Sequence, residues 1–258
     1  MTKIEWLRSD DGRPGYTINP IKGLCPVDCK DNQGKSYCYA RRMYKRFKWD
    51  TEIEWCPRVF RELDKLQSGS RVFIGSTVEL FGAWVKEVWL KLIFEEIVLH
   101  PNLTFIFLTK QPQNLIKWSP FPDNCWVGVS VPHAYDDTPI GHFEAFQRIS
   151  QLGKIKATVK FVSFEPLLES IASEFEFGLD LSLKAYGINW VIIGAQTPYS
   201  KKTAPRIEWV KEIVEAAEET CTPVFLKNNL RELLIPDALM DDIFWESEKA
   251  KLRQEFPQ

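Results

Sequence analysis

The sequence predicts an α/β fold, a partial or near-complete (β/α) TIM-type barrel with parallel strands. Three observations predict it. Short apolar runs rich in Val, Ile and Phe recur along the chain, and runs that are apolar at consecutive positions suit strands buried on both faces of a parallel sheet. Segments with apolar residues at helical spacing separate most of these runs. The runs also repeat at intervals of about thirty residues, the size of a strand-helix unit. A doubly wound open sheet is the alternative arrangement of such units, but the G-x-G-x-x-G and G-x-x-x-x-G-K-[ST] segments that build its usual phosphate loops are missing.

Taken in order, the first strand is expected from Tyr16 to Ile21. Val72-Phe73-Ile74, Phe105 to Leu108, Trp126 to Val129, Phe161-Val162, Val191 to Ile193 and Val224 to Leu226 follow, which makes about seven strands. Val85, Val88, Trp89, Leu92, Ile93 and Ile97 form one expected helix face, and Phe143, Phe146, Ile149 and Leu152 a second. Ile207, Val210, Ile213, Val214 and Ala217 form a third, after Pro205, a residue that suits a helix start. The polar stretch Ser170 to Gly187 reads as a long connection.

A chain of 258 residues with 45% hydrophobic content can bury a sizeable core. The expected organisation is one domain, with the barrel over residues 1–230 and residues 231–258 as a C-terminal helical extension of it. With 33 basic against 35 acidic residues, a net of -2, no overall field draws the protein to nucleic acid or membrane, so any polyanion binding is local. The segment WLKLIFEEIVLH is broken by Lys91, Glu95 and Glu96, too short and too charged to span a bilayer, and no membrane partner is expected. The opening MTKIEWLRSDDGRPG has no export-signal pattern, which sets the expected location as cytoplasmic. Six cysteines in that setting point to metal or redox work rather than to disulfides.

In a barrel of this kind chemistry sits at the carboxyl ends of the strands. The first polar residues there are Ser76, Thr77 and Glu79, then Thr109 and Lys110, Ser130, Ser163 and Glu165, Gln196 and Thr197, and Lys227 and Asn228. Glu165 and Lys110 are the strongest single cases. Each follows a buried strand and has a proline within two residues, in FEP and LTKQP, which restricts the backbone. A carboxylate there can bind a hydroxyl or amino group or act as a base, and a lysine can neutralise an anion; a structural salt bridge is the competing account of both. Of the histidines, His100 precedes Pro101, and His133 and His142 bracket the loop after the fourth strand.

The cysteines are unevenly placed. Cys25, Cys29 and Cys38 form a C-x3-C-x8-C loop in GLCPVDCKDNQGKSYCYARRMYKRF, whereas Cys125 and Cys221 read as ordinary buried or half-buried thiols and Cys56, before Pro57, as a spare ligand or nothing. Three thiolates can hold three irons of a cubane and leave the fourth iron open to a small molecule. A zinc knuckle, completed by Cys56, is the alternative use of the same spacing.

With Tyr37 just before the third cysteine, the loop resembles the C-x3-C-x2-C motif of the radical S-adenosylmethionine superfamily, from which it departs in its longer second gap. Cys38-Tyr39-Ala40 and the strand-end segments FIGSTVELFG, FLTKQP, VGVSV, FVSFEPLL and IIGAQ are similar to those of a poorly characterised, phage-associated radical-SAM-like family, over about Thr2 to Leu230. The resemblance implies a 4Fe-4S cluster on Cys25, Cys29 and Cys38 and reductive cleavage of S-adenosylmethionine. It also implies an electron donor such as flavodoxin or ferredoxin, and hydrogen abstraction from a substrate for which nucleic acid is a candidate. By the same resemblance Ser76 and Glu79 stand where the amino group of S-adenosylmethionine is met, and Ser130, Glu165 and Gly194 to Gln196 where ribose and adenine contacts fall. The alternative is a zinc-stabilised nucleic-acid-binding barrel without radical chemistry. Arg41, Arg42, Lys45, Arg46 and Lys48, interleaved with Tyr39, Tyr44, Phe47 and Trp49, read either as a nucleic-acid contact or as a solvated helix face with its aromatics packed inward.

Overall fold

The computed structural model describes residues 1–31, 33–133, 135–138, 141–171, 174–238, 242–246 and 251–258. The main sheet has seven strands: β1 (Tyr16–Ile18), β2 (Arg71–Ile74), β3 (Thr104–Thr109), β4 (Cys125–Ser130), β5 (Val159–Phe164), β6 (Trp190–Ile193) and β7 (Val224–Leu226). They are parallel and lie side by side in chain order. That order has no point of reversal, so successive right-handed crossovers put their helices on the same face. The fold is therefore a partial (β/α) barrel, and the doubly wound alternative falls away.

The chain divides into two compact units, Met1–Val127 with Ile155–Thr158, and Gly128–Lys154 with Val159–Gln258. In the first, β2 and β3 bury every residue except Thr104 and Leu108, as expected of strands without a solvent face. The expected first strand stops at Ile18. Beyond Asn19-Pro20, Ile21–Lys22 leaves the sheet and pairs antiparallel with Glu54–Trp55, because a proline cannot continue a ladder as donor. Arg71 enters the sheet buried and is accommodated by an ion pair to Asp10 at 2.5 Å and by the ring of Trp126 at 4.6 Å.

Helix α1 (Tyr39–Phe47) follows the cysteine loop, and α2 (Glu87–Val98) connects β2 to β3. The buried face of α2 is Leu90, Ile93 and Ile97, whereas Val88 and Leu92 are exposed. The sequence pattern placed both in the core; α2 is apolar on several sides, so periodicity alone leaves its rotation open. At its end His100 Nδ1 donates to the Glu96 carbonyl, 2.8 Å, and Nε2 faces Asp64 Oδ1 at 3.2 Å. Burial alone would lower the His100 pKa, but these two partners outweigh it and hold the pKa above the ordinary value. A raised folded pKa gives stability that is present at low pH and lost as pH rises through the folded value. Denaturant titrations from pH 5.5 to 8.5 should therefore show a term below about 1 kcal/mol that vanishes in Asp64→Asn; an unchanged pH slope in that variant would refute the pairing.

In the second unit, α3 (Ala145–Gly153) buries Ile149 and Leu152 as expected, and also Arg148, which donates to the Ser130 carbonyl at 3.2 Å. Phe146 is partly exposed against Phe175 and Tyr186. The side chains of Phe143 and His142 lie outside the described residues. The stretch read as one long connection contains α4 (Leu179–Ala185), whose Leu179 and Leu183 are buried one turn apart. Helix α5 (Ile207–Glu219) buries Val210, Ile213, Val214 and Ala217 as its spacing predicts. Among the described residues of the extension over 231–258, helix is found in α6 (Arg231–Ala238) and a turn at Asp242–Phe244. Trp245–Glu246 then pairs with Lys251–Leu252, and the tail bonds antiparallel to β7 through Leu226 N–H to Arg253 and Glu255 N–H to Val224. The tail thus covers an edge strand that would otherwise expose unpaired backbone groups. Among the described residues no helix is long and apolar enough to cross a membrane.

Candidate functional site

The loop after β1 gathers three thiols within the first unit. Cys25 is buried, and its sulfur accepts the backbone N–H of Glu79 at 3.4 Å. Burial pushes its pKa up to about 11. Cys29 lies within hydrogen-bond reach of Cys38, so its proton is held toward the Cys38 sulfur and its pKa is raised, while that of Cys38 falls to about 6. The N–H groups of Arg41 and Ala40 in the first turn of α1 and the Arg41 guanidinium also favour the Cys38 thiolate, though no capping hydrogen bond closes. The loop itself is tied down by Tyr37 N–H to the Cys29 carbonyl at 3.0 Å and by Arg41, which donates to the Cys25 carbonyl at 3.0 Å and faces Asp28 at 3.2 Å.

The ends of β2 and β3 bring polar groups to this loop. Gly75, at φ 78, turns the chain sharply out of β2 with its N–H on the Ile18 carbonyl. Asn19 then accepts from the Ser76 hydroxyl at 3.3 Å and from the Thr77 N–H and hydroxyl, each at 3.1 Å. The Ser76 carbonyl accepts from the Tyr39 hydroxyl. Glu79 accepts from the Thr109 hydroxyl at 2.6 Å and Phe81 N–H at 3.1 Å on Oε1, and from Lys110 N–H at 2.8 Å on Oε2. Enclosure raises its pKa, opposed by those donors. Lys110 reaches the Tyr37 hydroxyl at 3.2 Å and lies 5.6 Å from that ring's centroid, and its charge stabilises a Cys29 thiolate. Ser76, Glu79 and Lys110, picked out separately from sequence, thus join the three cysteines in one constellation.

The other predicted residues lie in the second unit. Glu165 forms an ion pair with Lys227, both largely covered, and its backbone carbonyl accepts from Ser130 Oγ at 3.3 Å. This is the structural salt bridge that competed with a catalytic reading of Glu165. Gly194 lies against the pair: a Cβ there would come within 2.8 Å of Lys227 Cδ and 3.2 Å of Glu165 Cγ. Gln196 carries a buried Oε1 without a hydrogen-bond partner, and its neighbour Ala195 is clamped at both backbone groups by Asn229. Replacing Lys227 by Met should cost about 2–3 kcal/mol, less than a fully buried pair loses, because an enclosed carboxylate is left uncompensated. Adding Glu165→Gln should recover more than half of that in urea unfolding; single and double variants of equal stability would mean that the pair does not act as a unit.

Asn19, Tyr39 and Asn229 were missed by sequence reasoning. Asn19 lies inside the expected first strand, Tyr16 to Ile21, and becomes a strand-end residue only because the strand stops at Ile18. Tyr39 and Asn229 act on backbone groups, which no residue pattern marks.

Cys56 begins the segment Pro57–Lys65, with its N–H on the Pro20 carbonyl at 2.7 Å. Among the described residues no group of three or more His, Cys, Asp or Glu side chains, the three neighbouring thiols included, stands close enough to hold one metal ion. A zinc ion about 2.3 Å from each sulfur would require the loop thiols to close on one point. A cubane places each thiolate on its own iron, and three neighbouring thiols, one of them already acidic, fit that donor set. Comparison with curated proteins gives no match. A family model described as "Protein of unknown function (DUF5131)" matches residues 1–231, a span that includes the cysteine loop and every strand-end residue discussed above. The chain belongs to the DUF5131 family.

Proposed function

We propose that the protein is a radical S-adenosylmethionine enzyme, holding a 4Fe-4S cluster on Cys25, Cys29 and Cys38. The observation that supports it best is the gathering of those three thiols with Glu79 and Lys110 at the ends of β1, β2 and β3. When bound, the cluster would supply the electron that cleaves S-adenosylmethionine reductively, giving an adenosyl radical able to abstract hydrogen from a substrate. The chain's own residues have definite tasks in this reading. Cys38, whose pKa is lowered by Cys29 and by the first-turn N–H groups of α1, would be one of the three thiolates holding the cluster. Lys110 offsets the negative charge of the Cys29 thiolate. Glu79 Oε1 already has two donors, but Oε2 has one and keeps room for another, which suits an amino group of the ligand; Ser76 is oriented beside it by Asn19. In the second unit, taken by itself, Glu165, Ser130, Gly194 and Gln196 are the residues that the resemblance assigns to ribose and adenine, and the buried Gln196 Oε1 lacks a hydrogen-bond partner. An electron donor such as flavodoxin or ferredoxin and a reducing, cytoplasmic setting belong to the proposal, and the six cysteines are free.

The experiment is anaerobic reconstitution with iron and sulfide, then reduction with S-adenosylmethionine present. Bound iron with matching acid-labile sulfide, and release of 5'-deoxyadenosine, are expected. Zinc without sulfide would instead establish the metal-stabilised binding protein.

A further inference from the structure

The far end of α1 is a surface that the cysteine site does not use. Tyr44 is buried, with its hydroxyl accepting the Gly23 N–H at 2.8 Å. Trp49 stands edge-on against Tyr44, with centroids 5.3 Å apart at 90°, and stacks on Phe47 at 5.3 Å and 22°. The chain reverses at Lys48 in the left-handed region, φ 51, which is what brings Phe47 and Trp49 face to face. Phe47 and Trp49 remain 52% and 43% exposed, so only one of the three aromatics packs inward. Arg46 lies over the Phe47 ring at 5.3 Å, and Arg42, Lys45 and Lys48 are exposed in the same segment, ahead of Asp50 and Glu52.

An exposed aromatic stack with a guanidinium over one ring and further cations in the same segment matches one class of partner. Bases of an unpaired strand stack on aromatic faces and guanidinium planes, while lysines and arginines follow the phosphates. A duplex keeps its base faces covered and offers only the second interaction. An anionic membrane would use the charges but would not need two rings held parallel.

We propose that Phe47, Trp49, Arg46 and Lys45 form a stacking platform for a single-stranded nucleic acid, and that this strand is the substrate. Only the word substrate rests on the enzyme reading above. Cys38 begins α1 and Phe47 ends it, so at about 1.5 Å per residue the platform lies roughly 14 Å along the helix from the cysteine loop. That is roughly four stacked nucleotides at about 3.4 Å each. A strand seated there can present a nucleotide about four positions along at the loop.

The test is fluorescence anisotropy of labelled 15-nucleotide DNA and RNA single strands, and of the matching duplex, with the full chain both iron-free and reconstituted. Binding that prefers either single strand to the duplex is expected, and the preferred sugar identifies the strand. Phe47→Ala with Trp49→Ala should weaken it at least ten-fold. Lys45→Gln with Arg46→Gln, which leaves the stack in place, should flatten the log–log salt slope by about 1.4, some 0.7 for each phosphate no longer neutralised. No binding, a duplex preference, capture by phosphatidylserine vesicles but not by oligonucleotides, or both double variants binding as wild type would each overturn the platform. Protein that loads iron but ignores every oligonucleotide refutes the platform and leaves the enzyme reading intact. Protein that binds strands but never takes up iron does the reverse.

Discussion

Changing Cys25, Cys29 or Cys38 singly to Ala is expected to reduce reconstituted iron from about four per chain to less than one, with loss of the charge-transfer absorbance of a cubane and of all 5'-deoxyadenosine formation. The effect should be all-or-none, because a cubane that loses one of three protein ligands leaves two irons without anchors. Cys56→Ala, Cys125→Ser and Cys221→Ser should load as wild type. The three thiols differ in their surroundings. The Cys38 pKa is lowered by the neighbouring Cys29 thiol and the first-turn N–H groups of α1, and Cys38→Ala should fail to load like the other two. Cys25 is buried under the Glu79 N–H, and its removal should also lower stability by about 1–2 kcal/mol through the cavity left behind. Equal iron and sulfide in wild type and all three variants would refute the cluster assignment outright. Retention by the three variants but not by Cys56→Ala would move the centre to a different ligand set.

The seven strands were legible because a parallel strand buried on both faces writes its burial as an uninterrupted apolar run; Val191-Ile192-Ile193 and Val224-Phe225-Leu226 correspond almost residue for residue to β6 and β7. Chain order within the sheet followed from the repeat spacing. What periodicity could not fix was rotation and length. Val88 and Leu92 sit on α2 at core spacing yet face outward, since a helix apolar on several sides is oriented by its neighbours. Helix α4 was hidden in a polar stretch because two leucines one turn apart are a short signal. In the candidate site, the cysteines and the polar strand ends were visible as residue types, but their partnerships were not. Nothing in FVSFEP announces that Glu165 pairs with a lysine sixty-two residues away, and nothing in NPIKGLC marks Asn19 as the acceptor for Ser76 and Thr77. Such pairings are set by which strands become neighbours.

Glu79 is where stability and proposed chemistry meet in one side chain, and Glu79→Ala should show both. Its carboxylate is the shared acceptor of the Thr109 hydroxyl and of the Phe81 and Lys110 N–H groups. Removing it leaves three donors in a covered site, and at about 1–3 kcal/mol for each unsatisfied group, less than additively, unfolding should come about 3–5 kcal/mol easier. Glu79→Gln separates the two roles. The amide keeps an oxygen for Thr109 and Phe81 but turns an NH2 toward the Lys110 N–H, donor against donor, for a loss of about 1–2 kcal/mol. That variant should still load iron, because the backbone N–H that Glu79 gives to Cys25 is unaffected. It should nevertheless bind S-adenosylmethionine at least ten-fold more weakly, since a neutral amide with no free acceptor opposite an ammonium group forfeits a charge-assisted hydrogen bond. Urea unfolding with calorimetric titration of the reconstituted protein distinguishes the outcomes. A Gln variant that is destabilised but binds normally makes Glu79 a purely structural brace of β2 and β3. One that is stable and fails to bind assigns the fourth acceptor site on the carboxylate to the ligand.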